Sequence, residues 1–167
     1  MERLWAPWRL AYLTGAGGGD GGGCIFCRAR DEDPPSPLIV HRGGRCFVIL
    51  NKYPYSNGHL LVVPRRHVGT LAGLDAAELS ELAVLAQAAE KVLTAAYSPQ
   101  GLNVGINVGR AAGAGAPGHL HVHLVPRWDG DTSFMTVVAD TRVVPEELDA
   151  TARRLRPLFE KILGTPD

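Results

Sequence analysis

Gly118-His119-Leu120-His121-Val122-His123-Leu124-Val125-Pro126-Arg127 holds three of the chain's six histidines at alternate positions. Side chains alternate faces along a strand, so a strand over His119–Pro126 puts these three imidazoles on one face. Leu120, Val122 and Leu124 then point to the other face, which must be core. Neighbouring imidazoles are expected roughly 6–7 Å apart, the spacing set by the strand rise. Two chemistries suit such a row. One is a metal site, since imidazole is a common zinc ligand. The other is nucleophilic catalysis by a neutral ring, in which one nitrogen holds its proton against a fixed acceptor and the other attacks. A neighbouring imidazole would then stabilise an oxyanion or protonate a leaving group. A second candidate cluster begins at Cys24-Ile-Phe-Cys27, the spacing of a zinc knuckle or of a redox pair. The redox reading lacks the strand-then-helix context of thioredoxin-like sites.

These residues must be positioned by one compact domain. The chain has 167 residues, 46% apolar and 20% charged, enough to build a core without staples. Lys+Arg and Asp+Glu both number 17, for a formal net charge of zero, which argues against a general nucleic-acid binder and leaves room for a small polyanionic ligand. No apolar run is long enough to predict a membrane span, the first residues carry charges unlike a secretory signal, and the expected location is the cytoplasm. Residues 1–23 read as an aromatic arm (Trp5, Trp8, Tyr12) followed by a glycine linker. The arm either packs on its own domain or lines a subunit interface. Residues 24–167 read as the domain proper. Short apolar runs at Pro37–His41, Cys46–Leu50 and His59–Val63 predict strands, the first two joined by a turn at Arg42-Gly43-Gly44-Arg45. Leu74–Tyr97 carries the one long helical period, with Asp75 as N-cap and Glu78 at capping-box spacing. Leu102–Val108 predicts a strand with a small polar second face (Asn103, Gly105, Asn107). Pro145–Leu163 predicts a C-terminal helix. The order β-β-β-α-β-β-α favours an α+β fold with a mostly antiparallel sheet of about five strands. His41 reads as a surface or edge histidine and Cys46 as a core thiol. Arg65, Arg66 and Arg110 read as solvated charges, with Arg110 near enough in sequence to meet a polyphosphate.

The row of histidines followed by Pro126-Arg127 resembles the signature of the histidine-triad (HIT) nucleotide hydrolases and transferases. The likeness extends to Asn51-Lys-Tyr-Pro-Tyr-Ser-Asn-Gly-His59-Leu-Leu-Val-Val-Pro64 and to Asn107, and covers roughly residues 24–135. The opening Leu-Trp-Ala-Pro-Trp-Arg and the later Val-Pro-Arg-Trp-Asp-Gly-Asp-Thr-Ser-Phe are similar to a bacterial branch described as diadenosine tetraphosphate phosphorylase-like.

The resemblance implies a HIT-like fold and a nucleotidyl-histidine intermediate on His121. It implies phosphate contacts from His123 and His59, a ribose contact from Asn51 and a phosphate contact from Asn107. Water or inorganic phosphate would then release the nucleotide. Many members carry Gln and then Ser or Thr in the loop before the histidines. Here Ala112-Gly113-Ala114-Gly115-Ala116-Pro117-Gly118 has no polar side chain, so backbone N–H groups at Gly113, Ala114 and Gly115 are left to cradle the phosphate. In zinc-bearing relatives the cysteine pair is completed by two histidines. Those positions are His67 and His119 here, which makes Cys24, Cys27, His67 and His119 a structural zinc site. His119 is then a ligand and not an acid. The family is commonly dimeric, so a homodimer is expected. The competing readings are a nucleoside phosphoramidate hydrolase, a triad metalloenzyme built on His119, His121 and His123, and a non-catalytic nucleotide-binding protein.

Overall fold

The computed structural model describes residues 23–34, 36–131 and 146–164. The N-terminal arm and most of the glycine linker lie outside the described residues. The first helix, α1 (Ile25–Asp31), was not expected: the cysteine knuckle is its N-terminal turn. Strands β1 (Ile39–Arg42), β2 (Cys46–Leu50) and β3 (Leu60–Pro64) follow, then helix α2 (Ala76–Tyr97). Strands β4 (Gly101–Ile106) and β5 (Val122–Arg127) lead to helix α3 (Leu148–Leu163). The strands form one antiparallel sheet in the order β1-β2-β3-β5-β4. The α+β reading therefore holds, with α1 added in front of the expected order. No helix among the described residues is long and apolar enough to cross a membrane.

Alternation along the strands sorts two cores. Val48, Leu50, Leu60, Val62, Leu120, Val122 and Leu124 face α2 and α3. Phe47, Ile49, Leu61 and Val63 face the other way, under Phe26 of α1. α2 begins with the expected capping box: Asp75 accepts from the Glu78 N–H, and Glu78 accepts from the Asp75 N–H. Arg66, expected in solvent, also donates to the buried Glu78 carboxylate at 2.7 Å. His41 does sit on an edge strand, yet it is buried and stacked on Phe159 of α3, ring centroids 5.6 Å apart. Cys46 is a fully buried thiol, as expected.

Two boundaries differ from the expected ones in a way that matters for the site. β5 begins at Val122, so His119 and His121 precede the regular strand. β4 ends at Ile106, which pairs with Val122, so Asn107 lies one step beyond, at the level of His121. The expected apolar row is only partly covered: Leu102 and Ile106 pack on the helix-side core, while Val104 on this edge strand and Val108, two residues past its end, are exposed.

Candidate active site and metal centre

The histidines gather on the sheet face away from α2 and α3. His123 pairs with Leu61 of β3 on one side and Gly105 of β4 on the other, and Gly105 adds no side chain there. The rings of His121 and His123 stand edge to face with centroids 4.8 Å apart, closer than backbone rise alone predicts. Phe26 packs against both His119 (5.4 Å) and His121 (5.0 Å), which makes α1 part of the site. Sequence reasoning missed this. Phe26 between the two cysteines was the available signal, since an apolar residue inside a ligand pair must point somewhere other than the metal.

Hydrogen bonds settle which nitrogen of each ring carries the proton. The Nδ1 of His121 lies 2.8 Å from the His119 carbonyl oxygen, which can only accept. Nδ1 is therefore protonated, and Nε2 keeps its lone pair. Burial lowers the His121 pKa, working against that carbonyl bond, and so favours the neutral ring. His59 is fixed from the other end. Its Nδ1 receives the backbone N–H of Tyr55 (3.1 Å) and the side-chain amide of Asn51 (3.2 Å), so it must be an acceptor. The proton of neutral His59 then sits on Nε2 and is donated to His123 Nδ1 at 3.0 Å. His123 is left with its own proton on Nε2. Burial, followed by the neighbouring His121, pulls the His123 pKa down to about 4.

The loop that supplies His59 is held at both ends. The Ser56 hydroxyl donates to the Pro126 carbonyl at 2.7 Å. Gly58 takes φ +73°, and a Cβ there would lie 2.8 Å from the Tyr97 ring. Tyr55 packs over both His59 (4.8 Å) and His123 (6.2 Å). Asn51 is oriented by the Tyr53 N–H on its Oδ1 (3.1 Å), so its amide already has two protein partners. Asn107 is half-buried. In the loop before His119, the N–H of Gly113 donates to Arg110 and that of Ala114 to Gly109, closing the turn. Among the described residues, Gly115 makes no such turn bond.

His119 faces a different set of partners. Its Nε2–H donates to the Pro64 carbonyl at 2.8 Å, which leaves the Nδ1 lone pair facing Cys24 Sγ at 3.2 Å and Cys27 Sγ at 3.6 Å. His67 Nδ1 lies 3.5 Å from Cys27 Sγ, and all four donor atoms fall within 4.8 Å of one another. A zinc ion with bonds of about 2.3 Å to sulfur and about 2.0 Å to nitrogen holds tetrahedral S and N atoms roughly 3.5 Å apart. The cluster fits. Pro64 also supplies the outer-shell acceptor that metal-bound imidazoles use. Burial and the adjacent Cys24 raise the Cys27 thiol pKa, a repulsion that a cation would relieve. Cys24, Cys27, His67 and His119 can therefore hold a metal ion. The three alternating histidines do not offer lone pairs to one point: His119 turns to the thiols, and His123 Nδ1 accepts from His59.

An open antiparallel sheet bearing a buried row of hydrogen-bonded histidines, with a Cys₂His₂ cluster beside it, is the architecture of the histidine-triad class. The HIT domain family model matches residues 35–130, and the chain belongs to this family. Its relatives include an AP-4-A phosphorylase of Mycobacterium tuberculosis, 38% identical over 161 residues, which span 93% of this chain and 83% of the relative. A bis(5'-nucleosyl)-tetraphosphatase (asymmetrical) of Schizosaccharomyces pombe is 30% identical over 126 residues, 75% of this chain and 65% of the relative. Among solved structures, a Zn-bound histidine triad family protein from Mycobacterium smegmatis superposes with a TM-score of 0.68 at 28% identity, covering 83% of this chain and 94% of that one. A hypothetical histidine triad nucleotide-binding protein from Sulfolobus tokodaii gives 0.69 at 29% identity, covering 84% and 97%.

Proposed function

We propose that the chain is a nucleotidyl transferase that cleaves dinucleoside polyphosphates of the diadenosine tetraphosphate kind through a covalent intermediate on His121. The observation that carries this reading is the His121 ring. It is neutral, it is anchored at Nδ1 by a carbonyl, and its Nε2 lone pair is free. His121 Nε2 attacks the α-phosphorus as the bridging P–O bond breaks. The Nε2–H of His123 stabilises charge on the phosphoryl oxygens, and His59 holds His123 in that tautomer. Asn107 and the Gly115 N–H are assigned to the phosphate and Asn51 to the ribose hydroxyls, through the hydrogen-bonding capacity its amide retains. Gly113 and Ala114 serve by shaping the turn. Water or inorganic phosphate releases the nucleotide from His121.

Zinc is the proposed structural cofactor, held by Cys24, Cys27, His67 and His119; it anchors the carbonyl that orients His121. A homodimer is proposed through β4, whose outer position in the sheet and exposed Val104, with the exposed Val108 just past its end, support it. Three free cysteines suit the cytoplasm. The test is His121→Asn with diadenosine tetraphosphate: turnover should vanish while nucleotide binding persists. Intact-mass analysis of quenched wild type should show one nucleotidyl group mapping to His121. Full turnover by the variant would refute the assignment.

A further inference from the structure

Five of the chain's six histidines belong to the histidine row or the metal cluster, and His41 does not. It lines a cleft of about 700 Å³ between β1, α2 and α3, at the sheet edge opposite β4. Cavities of about 300–1,000 Å³ are the size that holds small organic ligands. A bulge between Ile39 and His41 brings Val40 and His41, neighbours in sequence, to the same helix side of the sheet. His41 is 8% exposed and stacks on Phe159, yet among the described residues neither ring nitrogen has a hydrogen-bond partner. The described side-chain atoms enclosed without a partner are Arg42 Nη2 and Asn57 Oδ1, so the His41 nitrogens open onto the cleft. A neutral imidazole presents one N–H and one lone pair there. Left unpaired, both cost free energy.

The charge around the cleft is unbalanced. Arg42, Arg65 and Arg156 line it. The ion pairs among the described residues use Arg30, Arg45, Arg66, Arg127 and Arg154, and leave these three without a carboxylate partner. Each is tethered to main-chain carbonyls instead: Arg42 to Arg30 (3.3 Å), Arg65 to Gly43 (3.2 Å), and Arg156 to Ile39 (3.2 Å) and Pro37. A guanidinium has several N–H groups, so Arg65 and Arg156 keep donors to spare. Two acids share the cleft. Glu81 is already engaged, accepting from the N–H groups of Arg45 and Cys46, both at 2.9 Å. Glu160 has no ion pair among the described residues. Asp31 feels the charge of Arg65 and Arg42 but is bound to Arg30.

We infer that this cleft is a second ligand site, separate from the histidine row, for a small organic anion. The phosphate or carboxylate group of the ligand sits on the Arg65 guanidinium and the His41 N–H, with the charge of Arg42 behind it. The carbon body lies against Val40, Leu85 and Leu163, which supply the apolar walls. Water alone can satisfy the imidazole. It does not balance three guanidinium charges, one of them with a buried unpaired nitrogen, and an anion does. The site stands or falls apart from the reaction at His121, because it lies on the other face of the sheet and shares no residue with the row.

The test uses the full-length, zinc-replete protein and reads the imidazole resonances of His41 by NMR. They are assigned by their loss in His41→Phe, which keeps an aromatic ring against Phe159. Phenyl phosphate, benzoate, benzyl alcohol and benzylammonium are titrated separately. At least one anion should shift His41 saturably with a Kd at or below about 1 mM, which ligands of this size reach at ordinary efficiency. The tighter of the two anions tells a phosphate ligand from a carboxylate. Benzyl alcohol and benzylammonium should bind at least about tenfold more weakly. Arg65→Gln changes an exposed side chain and should weaken the anion at least about tenfold. Glu160→Gln removes an opposing charge and should tighten binding. If neither anion shifts His41 by about 10 mM, the inference is overturned. Equal binding of the alcohol, or an unchanged Kd in Arg65→Gln, overturns it too. Shifts confined to His59, His121 and His123 would place the anion in the histidine row and refute the second site.

Discussion

Phe26 gives the sharpest check on how α1 builds the site. It is 5% exposed, packs among Ile39, Phe47, Ile49, Leu61 and Val63, and touches the rings of His119 and His121. A buried phenylalanine removes about 150–250 Å² from water. At about 25 cal/mol per Å² that is roughly 4–6 kcal/mol as an upper bound. Measured Phe→Ala costs of about 3–5 kcal/mol point to the same size. Phe26→Ala should therefore cost about 4 kcal/mol, or a Tm drop of about 8–16 °C for a chain this long. Phe26→Leu separates packing from orientation. It refills most of the volume, at about 1–1.5 kcal/mol, but removes the aromatic flank of His121. An aromatic contact is worth about 0.5–1.5 kcal/mol, so kcat should fall about 2- to 12-fold with KM nearly unchanged. Thermal melts of zinc-loaded and zinc-depleted protein, with steady-state kinetics on diadenosine tetraphosphate, measure both effects. A Phe26→Ala loss below about 1 kcal/mol in the zinc-depleted protein would refute the placement of α1 against the histidines.

Metal analysis of protein purified without chelator should give about one zinc per chain, and Cys27→Ser or His67→Ala should lower that content and the Tm together. Gly58→Ala forces a Cβ into a left-handed turn against Tyr97. It should cost about 1–3 kcal/mol in urea unfolding and weaken turnover by shifting His59. His123, with a pKa lowered to about 4, and His41, lowered by burial, both bind protons more readily when unfolded. Their contribution to stability is therefore present above about pH 6.5 and lost as pH falls toward 4, so urea midpoints should decline steadily across that window. A midpoint unchanged from pH 7.5 to pH 5 would contradict their burial as neutral rings.

Much of the sheet was legible because short apolar runs such as Cys46–Leu50 and His59–Val63 are a local signal. Which side each residue faces was not, since Val48 and Phe47, like Leu60 and Leu61, are both apolar and both buried. The α2 start was legible as a local signal too, since Asp75 and Glu78 carry their cap in their own side chains. α1 was not. Its seven residues are too few for a helical period to show, and it is held by Phe26 packing and the cysteine cluster rather than by propensity. His41 was placed on an edge correctly, but its burial was not legible because it depends on Phe159, distant in sequence, and nothing nearby announces that partner.

The candidate site divides along a different line. Residue types and spacings indicated the histidine row and the cysteine pair separately, and the joining of Cys24, Cys27, His67 and His119 into one cluster came from resemblance alone. Proton positions could not. His121 is set by the carbonyl of His119, His119 by the carbonyl of Pro64, and His59 by the amide N–H of Tyr55. Those are main-chain groups that any residue but proline offers in full, so side-chain identity carries no trace of them. They become readable only once the backbone path is known. Yet they decide which nitrogen keeps a free lone pair, which donates and which faces the thiols. A substitution at Tyr55 or Pro64 that preserved the backbone would leave those assignments intact. A change that bent the backbone without touching a histidine would alter the chemistry, and the ¹⁵N pattern of the histidines would register it before any loss of fold.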